Sequence, residues 1–376
     1  MNIATLPVRP EVYKIAKYNA GLSSADVEKR CNGAKVVKLG SNENPLGASP
    51  LVAQALQTQA ATLNLYPDPQ GRLLKHALAE KYKVPTDRII LGNGSEELLS
   101  IIYRATLNSG EHIVTPYPSF PLHEDYATLQ GADVSRVPLD VHLELDVAAL
   151  KTALLSKPKL FVIANPVNPV GSWLNNQQLT DLLESVAPET LLILDEAYAE
   201  YAFGADYADS LALLKNSSLQ WIVLRTFSKA YGLAGLRVGY GIASNAQLID
   251  MFDRVRSPFN VNTMAQAAAL AALSDDGHLA KTISHNSAER EQVRCFLEDN
   301  GFTVAPSRTN FLFFKVHKLA ADLSEEFLNR GVILKPWKQH GYDNYLRVSI
   351  GSSEDNQRFM QAVTEIFLQS LLTKNP

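Results

Sequence analysis

The residue in this sequence best suited to covalent chemistry is Lys229. It sits in Arg225-Thr-Phe-Ser-Lys-Ala-Tyr-Gly-Leu-Ala-Gly-Leu-Arg-Val-Gly239, so Thr226 and Ser228 precede it and Arg237 follows within one short stretch. An amine can form a Schiff base with an aldehyde, while hydroxyls and a guanidinium can hold a phosphate. The set therefore suits an aldehyde cofactor that carries a phosphate. The same composition also fits an exposed loop with a solvated lysine, and the stretch alone does not choose between them.

Several other residues of chemical interest follow apolar runs. Leu191-Leu-Ile-Leu194 leads into Asp195-Glu-Ala-Tyr198. A carboxylate at the end of a buried strand needs a cation or donors, unless it caps a helix. Ile89-Ile-Leu91 precedes Gly92-Asn-Gly-Ser-Glu-Glu97, a glycine turn opening a helix. Its backbone N–H groups suit a phosphate, and an ordinary turn with a serine N-cap is the alternative. Phe120 ends the strand begun by His112-Ile-Val-Thr115 and could stack on a flat ring or join the core. Asn168 lies in Asn165-Pro-Val-Asn-Pro-Val-Gly171, a stiff loop after Leu160-Phe-Val-Ile-Ala164. Tyr66, in Tyr-Pro-Asp-Pro-Gln-Gly, marks an exposed turn tip that could pack or reach across a subunit interface. Arg347, inside Tyr345-Leu-Arg-Val-Ser-Ile350, is either an edge residue or an anion receptor.

The elements that position these residues alternate from residue 88 to 240: buried strand, turn, helix. That predicts an α/β fold with a mostly parallel, doubly wound sheet, whose ligands sit beyond the carboxyl ends of the strands. A helix is expected over 73–82 and another over 98–107. Past Asn260 the pattern changes. Helices are expected over 263–273, 289–297 and 321–329. Strands are expected at 311–316, 332–334 and 345–350. A last helix from about Ser353 carries Phe359, Val363, Ile366 and Phe367 on one face. We read a large domain over 45–262 and a smaller α+β domain over 263–376. An N-terminal arm over 1–44, with a short helix near 22–30, completes the small domain.

The chain has 376 residues and a net charge of −4, with charges interspersed. No basic block suggests nucleic acid, and no apolar run suggests a membrane span. Cys31 and Cys295 lack metal or disulfide spacing, and no metal site is expected. A cytoplasmic protein is expected.

Six motifs in order carry a resemblance. They are Ser-Asn-Glu-Asn-Pro-Leu-Gly at 41–47, Tyr-Pro-Asp-Pro at 66–69, the Asn-Pro loop at 165–171, Asp-Glu-Ala-Tyr at 195–198, Thr-Phe-Ser-Lys-Ala-Tyr-Gly-Leu-Ala-Gly-Leu-Arg at 226–237, and Leu-Arg-Val-Ser-Ile-Gly at 346–351. From Tyr18 to Gly351 the chain resembles the fold type I pyridoxal-phosphate aminotransferases, and among them the histidinol-phosphate aminotransferases. The resemblance implies that Lys229 holds pyridoxal 5'-phosphate and shuttles a proton, and that Asp195 pairs with the ring nitrogen. It gives Asn168 and Tyr198 to the ring's phenolic oxygen and Phe120 to its face. Gly94, Ser95, Glu96, Thr226, Ser228 and Arg237 would cradle the phosphate. Tyr66 would reach that phosphate from the partner subunit of a homodimer. Tyr18, Asn44, Lys335 and Arg347 would contact substrate.

Two departures stand out. The loop reads Asn-Pro-Val-Gly where Asn-Pro-Thr-Gly is usual, and Lys335 stands where many members have arginine near the substrate's phosphate. The expected reaction is transamination between L-histidinol phosphate and 2-oxoglutarate in histidine biosynthesis. The Lys335 departure keeps an aromatic amino acid aminotransferase open, and a threonine-phosphate decarboxylase more distantly.

Overall fold

The computed structural model describes residues 7–17, 25, 27, 28, 36–204 and 206–372, with side chains followed to residue 366. Tyr18, Cys31, the Phe367 side chain and most of the expected helix near 22–30 lie outside the described residues. In chain order the described strands are β1 (Val37–Lys38), β2 (Ile89–Gly92), β3 (His112–Tyr117), β4 (Asp133–Pro138), β5 (Leu160–Ala164), β6 (Leu191–Asp195), β7 (Gln220–Thr226), β8 (Gly239–Ala243), β9 (Phe311–Lys315), β10 (Val332–Ile333), β11 (Lys335–Pro336) and β12 (Tyr345–Ser349).

Seven of them form one sheet in the order β2-β8-β7-β6-β5-β3-β4, with β8 antiparallel to both neighbours and the other pairings parallel. The central strands are apolar without alternation because both faces are covered. Successive residues go to opposite cores. Phe161, Ile163, Leu192, Leu194 and Val223 pack on one side, and Leu160, Val162, Leu191, Ile193 and Ile222 on the other. The parallel strands end together, which brings the segments after β5, β6 and β7 to one edge.

A second layer holds the three-stranded antiparallel sheet β11-β12-β9 and the parallel pair β1-β10. Its core contains Phe314, Leu323, Phe327, Val348, Phe359, Val363 and Ile366, together with Val37 and Leu39 from the N-terminal side. The expected division at 262/263 falls ahead of the helix Thr263–Leu273. That helix packs Ala265, Ala268, Ala269 and Ala272 into the core of the large sheet, because alanine lets it approach closely. The helix expected over 289–297 is the end of a 24-residue helix, Asp276–Asp299. Leu279 of this helix touches the large core, while Val293 and Leu297 belong to the second core.

Candidate active site

A cavity of about 530 Å³ opens at the carboxyl edge of the large sheet, against β11 and β12 of the small one. Ser95, Glu96, Phe120, Asn168, Asp195, Tyr198, Thr226, Ser228, Lys229, Arg237, Lys335 and Arg347 all line it. Six cationic side chains (Lys17, Lys229, Arg237, Lys335, Lys338, Arg347) face three carboxylates (Glu96, Asp125, Asp195), so the cavity favours anionic ligands.

Lys229 projects from the loop after β7. Its Nζ donates to the Ser41 carbonyl at 3.2 Å and lies 5.7 Å from the centre of the Tyr198 ring. Burial, helped by the Arg347 charge, lowers the amine to about 7, so a substantial neutral fraction exists near neutral pH. Gly232 fixes the loop. Its φ is +70°, and a Cβ there would sit 2.3 Å from the Gly47 carbonyl oxygen. The segment carrying Lys229 thus lies directly on the 41–47 motif.

Asp195 ends β6 and is buried. Its Oδ1 accepts from the Ala197 N–H at 3.1 Å, and His123 Nε2 lies 3.1 Å from Oδ2. The helix that follows, Ala199–Ala202, has Tyr198 at its N-cap, so the helix-cap alternative for Asp195 does not describe this residue. Asn42 Nδ2 donates to the Tyr198 hydroxyl at 2.9 Å and orients it. Arg347 donates to Asn168 Oδ1 at 2.7 Å, which fixes the amide and directs its NH2 elsewhere.

The glycine turn has no serine cap. The N-cap of the helix Ser95–Thr106 is Gly94, at φ 83°, with no side-chain cap bond, so its first amides are open to a ligand. A Cβ on Gly94 would come within 2.6 Å of Arg237. Arg237 contacts Ser228 Oγ at 3.5 Å and Glu96 at 3.7 Å, and Thr226 Oγ1 donates to Ser228 Oγ at 3.0 Å. Helix amides, two hydroxyls and a guanidinium thus converge beside a neutralisable amine and a buried carboxylate. This donor set fits a phosphorylated aldehyde with a basic ring nitrogen.

The small sheet supplies the opposite wall. Lys335 pairs directly with Arg347 across β11 and β12, so both side chains share a face. Arg347 is in the central strand, which removes the edge-residue alternative. It also donates to the Gly40 carbonyl at 2.9 Å, and its guanidinium lies over the Phe311 and Trp337 rings. Burial, then the Arg347 charge, pulls Lys335 down to about 8.

Two expected residues lie elsewhere. Tyr66 is 83% exposed and stacks on Phe259 with centroids 4.6 Å apart, outside the cavity lining. Asn44 is also outside it; its amide donates to the Ala230 carbonyl at 3.0 Å, tying the 41–47 motif to the lysine loop. Three groups escaped sequence reading. Asn42 lies in the same motif as Asn44. His123 is three residues past Phe120, and that helical spacing was its only signal. Glu196 and Arg225 form a buried pair at 2.7 Å beneath the site, and nothing in the sequence marked them as partners.

A family model for aminotransferase class I and II matches residues 34–363. Histidinol-phosphate aminotransferase 1 of Mesorhizobium japonicum is 54% identical over 97% of this chain and 100% of its own. Histidinol-phosphate aminotransferase 3 of Rhizobium meliloti is 48% identical over 97% and 99%. The crystal structure of histidinol-phosphate aminotransferase from Sinorhizobium meliloti in complex with pyridoxal-5'-phosphate superposes with a TM-score of 0.88, at 27% identity, covering 97% of this chain and 98% of that one. With a family model over most of its length, relatives of this identity and a fold that superposes this well, the chain belongs to the class I and II aminotransferase family, among the histidinol-phosphate aminotransferases.

Proposed function

We propose that this enzyme uses pyridoxal 5'-phosphate to transfer the amino group of L-histidinol phosphate to 2-oxoglutarate, giving imidazole acetol phosphate and glutamate in cytoplasmic histidine biosynthesis. The observation that carries the reading is the cross-strand pair Lys335–Arg347, two cations on one face of the cavity that holds Lys229. A phosphate dianion uses both charges, whereas a carboxylate is served by Arg347 alone.

When bound, the cofactor supplies an aldehyde that carries the amino group and a ring that withdraws electrons from the donor's Cα. The chain's residues do the rest. Lys229 Nζ holds the cofactor, then takes the Cα proton and returns it; an amine at about 7 can do both near neutral pH. Asp195, braced by His123, accepts the ring N–H and keeps that nitrogen protonated. The NH2 of Asn168, directed by Arg347, and the Tyr198 hydroxyl hold the phenolic oxygen. Phe120 covers the ring face. The first amides of Ser95–Thr106, with Thr226, Ser228 and Arg237, hold the phosphate. Tyr66 acts in the partner's cradle of a homodimer, which accords with its exposure and its place outside its own cavity. Tyr18 and Asn44 complete the substrate side, Asn44 by fixing the lysine loop. The domain division falls inside the helix Asp276–Asp299, which joins both cores.

The test is a steady-state comparison of L-histidinol phosphate, phenylalanine, tyrosine and threonine phosphate as amino donors. Histidinol phosphate should have the highest kcat/KM. A better phenylalanine rate would replace the reading with an aromatic aminotransferase, and carbon dioxide release from threonine phosphate would replace it with a lyase.

A further inference from the structure

The phosphate end of the cavity has its cations; the donor's ring needs a partner of its own. Three carboxylates line the cavity, and two are engaged. Glu96 accepts from the Tyr126 hydroxyl at 2.9 Å and meets Arg237, while Asp195 meets His123 and the Ala197 N–H. Asp125 has no hydrogen bond or ion pair among the described residues. It lies on the helix Pro121–Leu129, whose N-cap is Phe120. Pro121 and Asp125 are one turn apart on the face that lines the cavity.

The other ionisable residues of this helix each have a partner within the protein. His123 reaches Asp195, Glu124 takes two bonds from Arg136 at 2.7 and 3.0 Å, and Tyr126 reaches Glu96. Burial, then the Glu124 charge, raises the Asp125 carboxyl above its ordinary value. It is a half-buried acid without a counter-charge, in the cavity that Phe120 also lines.

Building on the histidinol-phosphate reading, we propose that Asp125 accepts the imidazole N–H of the amino donor and so sets the preference for imidazole over phenyl. An imidazole edge offers an N–H donor. A phenyl ring offers none and would leave the half-buried carboxylate stripped of water without compensation. A site built to accept a hydrogen bond discriminates strongly against an analogue that lacks the donor. Asp125 would thus be a specificity residue, apart from the groups that hold the cofactor.

The experiment uses the holoenzyme with two donors that share the Cα and the phosphate and differ only in the ring: L-histidinol phosphate and L-phenylalaninol phosphate. The wild type should favour the first. Asp125→Asn should lower kcat/KM for histidinol phosphate about ten- to a hundredfold, mainly through KM, and leave phenylalaninol phosphate within about twofold. Asp125→Glu should recover part of the loss. The phenylalaninol phosphate rate in each variant reports whether the fold and cofactor site are intact. Equal losses on both donors, or none on either, would overturn the inference and leave the phosphate reading standing. A wild type that uses both donors equally well would do the same. A wild type that uses neither phosphate donor would refute the function itself, and the inference with it, before any variant is made.

Discussion

The two walls of the cavity are built on different principles. The large-sheet wall places each group at the end of a separate strand or at a helix start, and supplies it with partners within the protein. Asp195 has His123, Ser228 has Thr226, and Arg237 has Glu96. The small-sheet wall sets like charges together. It holds Lys335 and Arg347 side by side, and the arginine's charge helps to depress the lysine. The first wall matches its groups with opposite charges and donors, while on the second Arg347, although held by Asn168 and the Gly40 carbonyl, still faces Lys335, a repulsion that an anion would relieve. Damage to the first should therefore abolish turnover on every donor, and loss of Lys335 from the second should change which donor is preferred.

The largest effect belongs to Lys229. Lys229→Ala should lower kcat by about 10³-fold or more on all donors and remove the visible absorbance of the covalently held cofactor. Absorbance and rates like those of the wild type would move the chemistry to another residue. Next is Asp195→Ala, expected to slow turnover about a hundredfold or more, again on all donors. A residue that merely capped a helix would cost only ~1 kcal/mol of stability, read as a small drop in Tm with normal kcat.

The second wall gives a selective effect. Lys335→Ala should weaken histidinol phosphate about ten- to a hundredfold and leave phenylalanine nearly unchanged, while Arg347→Ala should damage both. A pH series sharpens the contrast. Lys335 sits at about 8, so it is charged below that pH and loses its charge as pH rises through it. Because kcat/KM reports the free enzyme, the advantage of phosphate-bearing donors should shrink across that range. In Lys335→Arg it should persist, since arginine stays charged. Equal losses on both donors in Lys335→Ala would erase the distinction between the walls.

The smallest signal tests whether the first wall is complete in one chain. Lys229→Ala and Tyr66→Ala subunits, mixed in equal amounts, should regain about a quarter of wild-type activity, because half the dimers are mixed and one site in each is intact. No recovery despite measured subunit exchange would confine Tyr66 to its own chain.

Much of this was legible in the sequence, for reasons that differ by region. β5 and β6 are continuous apolar runs buried on both faces, and such runs announce themselves. The helix Thr263–Leu273 was legible from its alanines, but its allegiance to the large core was not, since alanine packs equally well on either side of a boundary. β4, Asp133–Pro138, is a partly exposed edge strand of mixed polarity, and β8 is Gly-Tyr-Gly-Ile-Ala, whose glycines weaken the strand signal. In the site, Lys229, Asp195 and Arg237 were found because they follow strands and belong to motifs. His123 and Arg225 were missed because their roles depend on contacts of 72 and 29 residues in sequence separation. Asn42 was passed over for Asn44 because both lie in one turn-rich motif, and only the fold shows which amide faces inward.

The direct pairing of Lys335 with Arg347 makes the spacing of the two charges a property of backbone register rather than of side-chain reach. A strand pair works here as a fixed gauge, and side chains alternate faces with each residue. Sliding β11 by one position against β12 would turn the lysine away from the cavity while leaving the arginine in place. The segment between them, residues 337–344, is thus a place where an insertion or deletion could retune donor choice without touching a single residue that holds the cofactor. Substrate range in such a protein can drift by changes in loop length as readily as by changes in the residues that touch substrate.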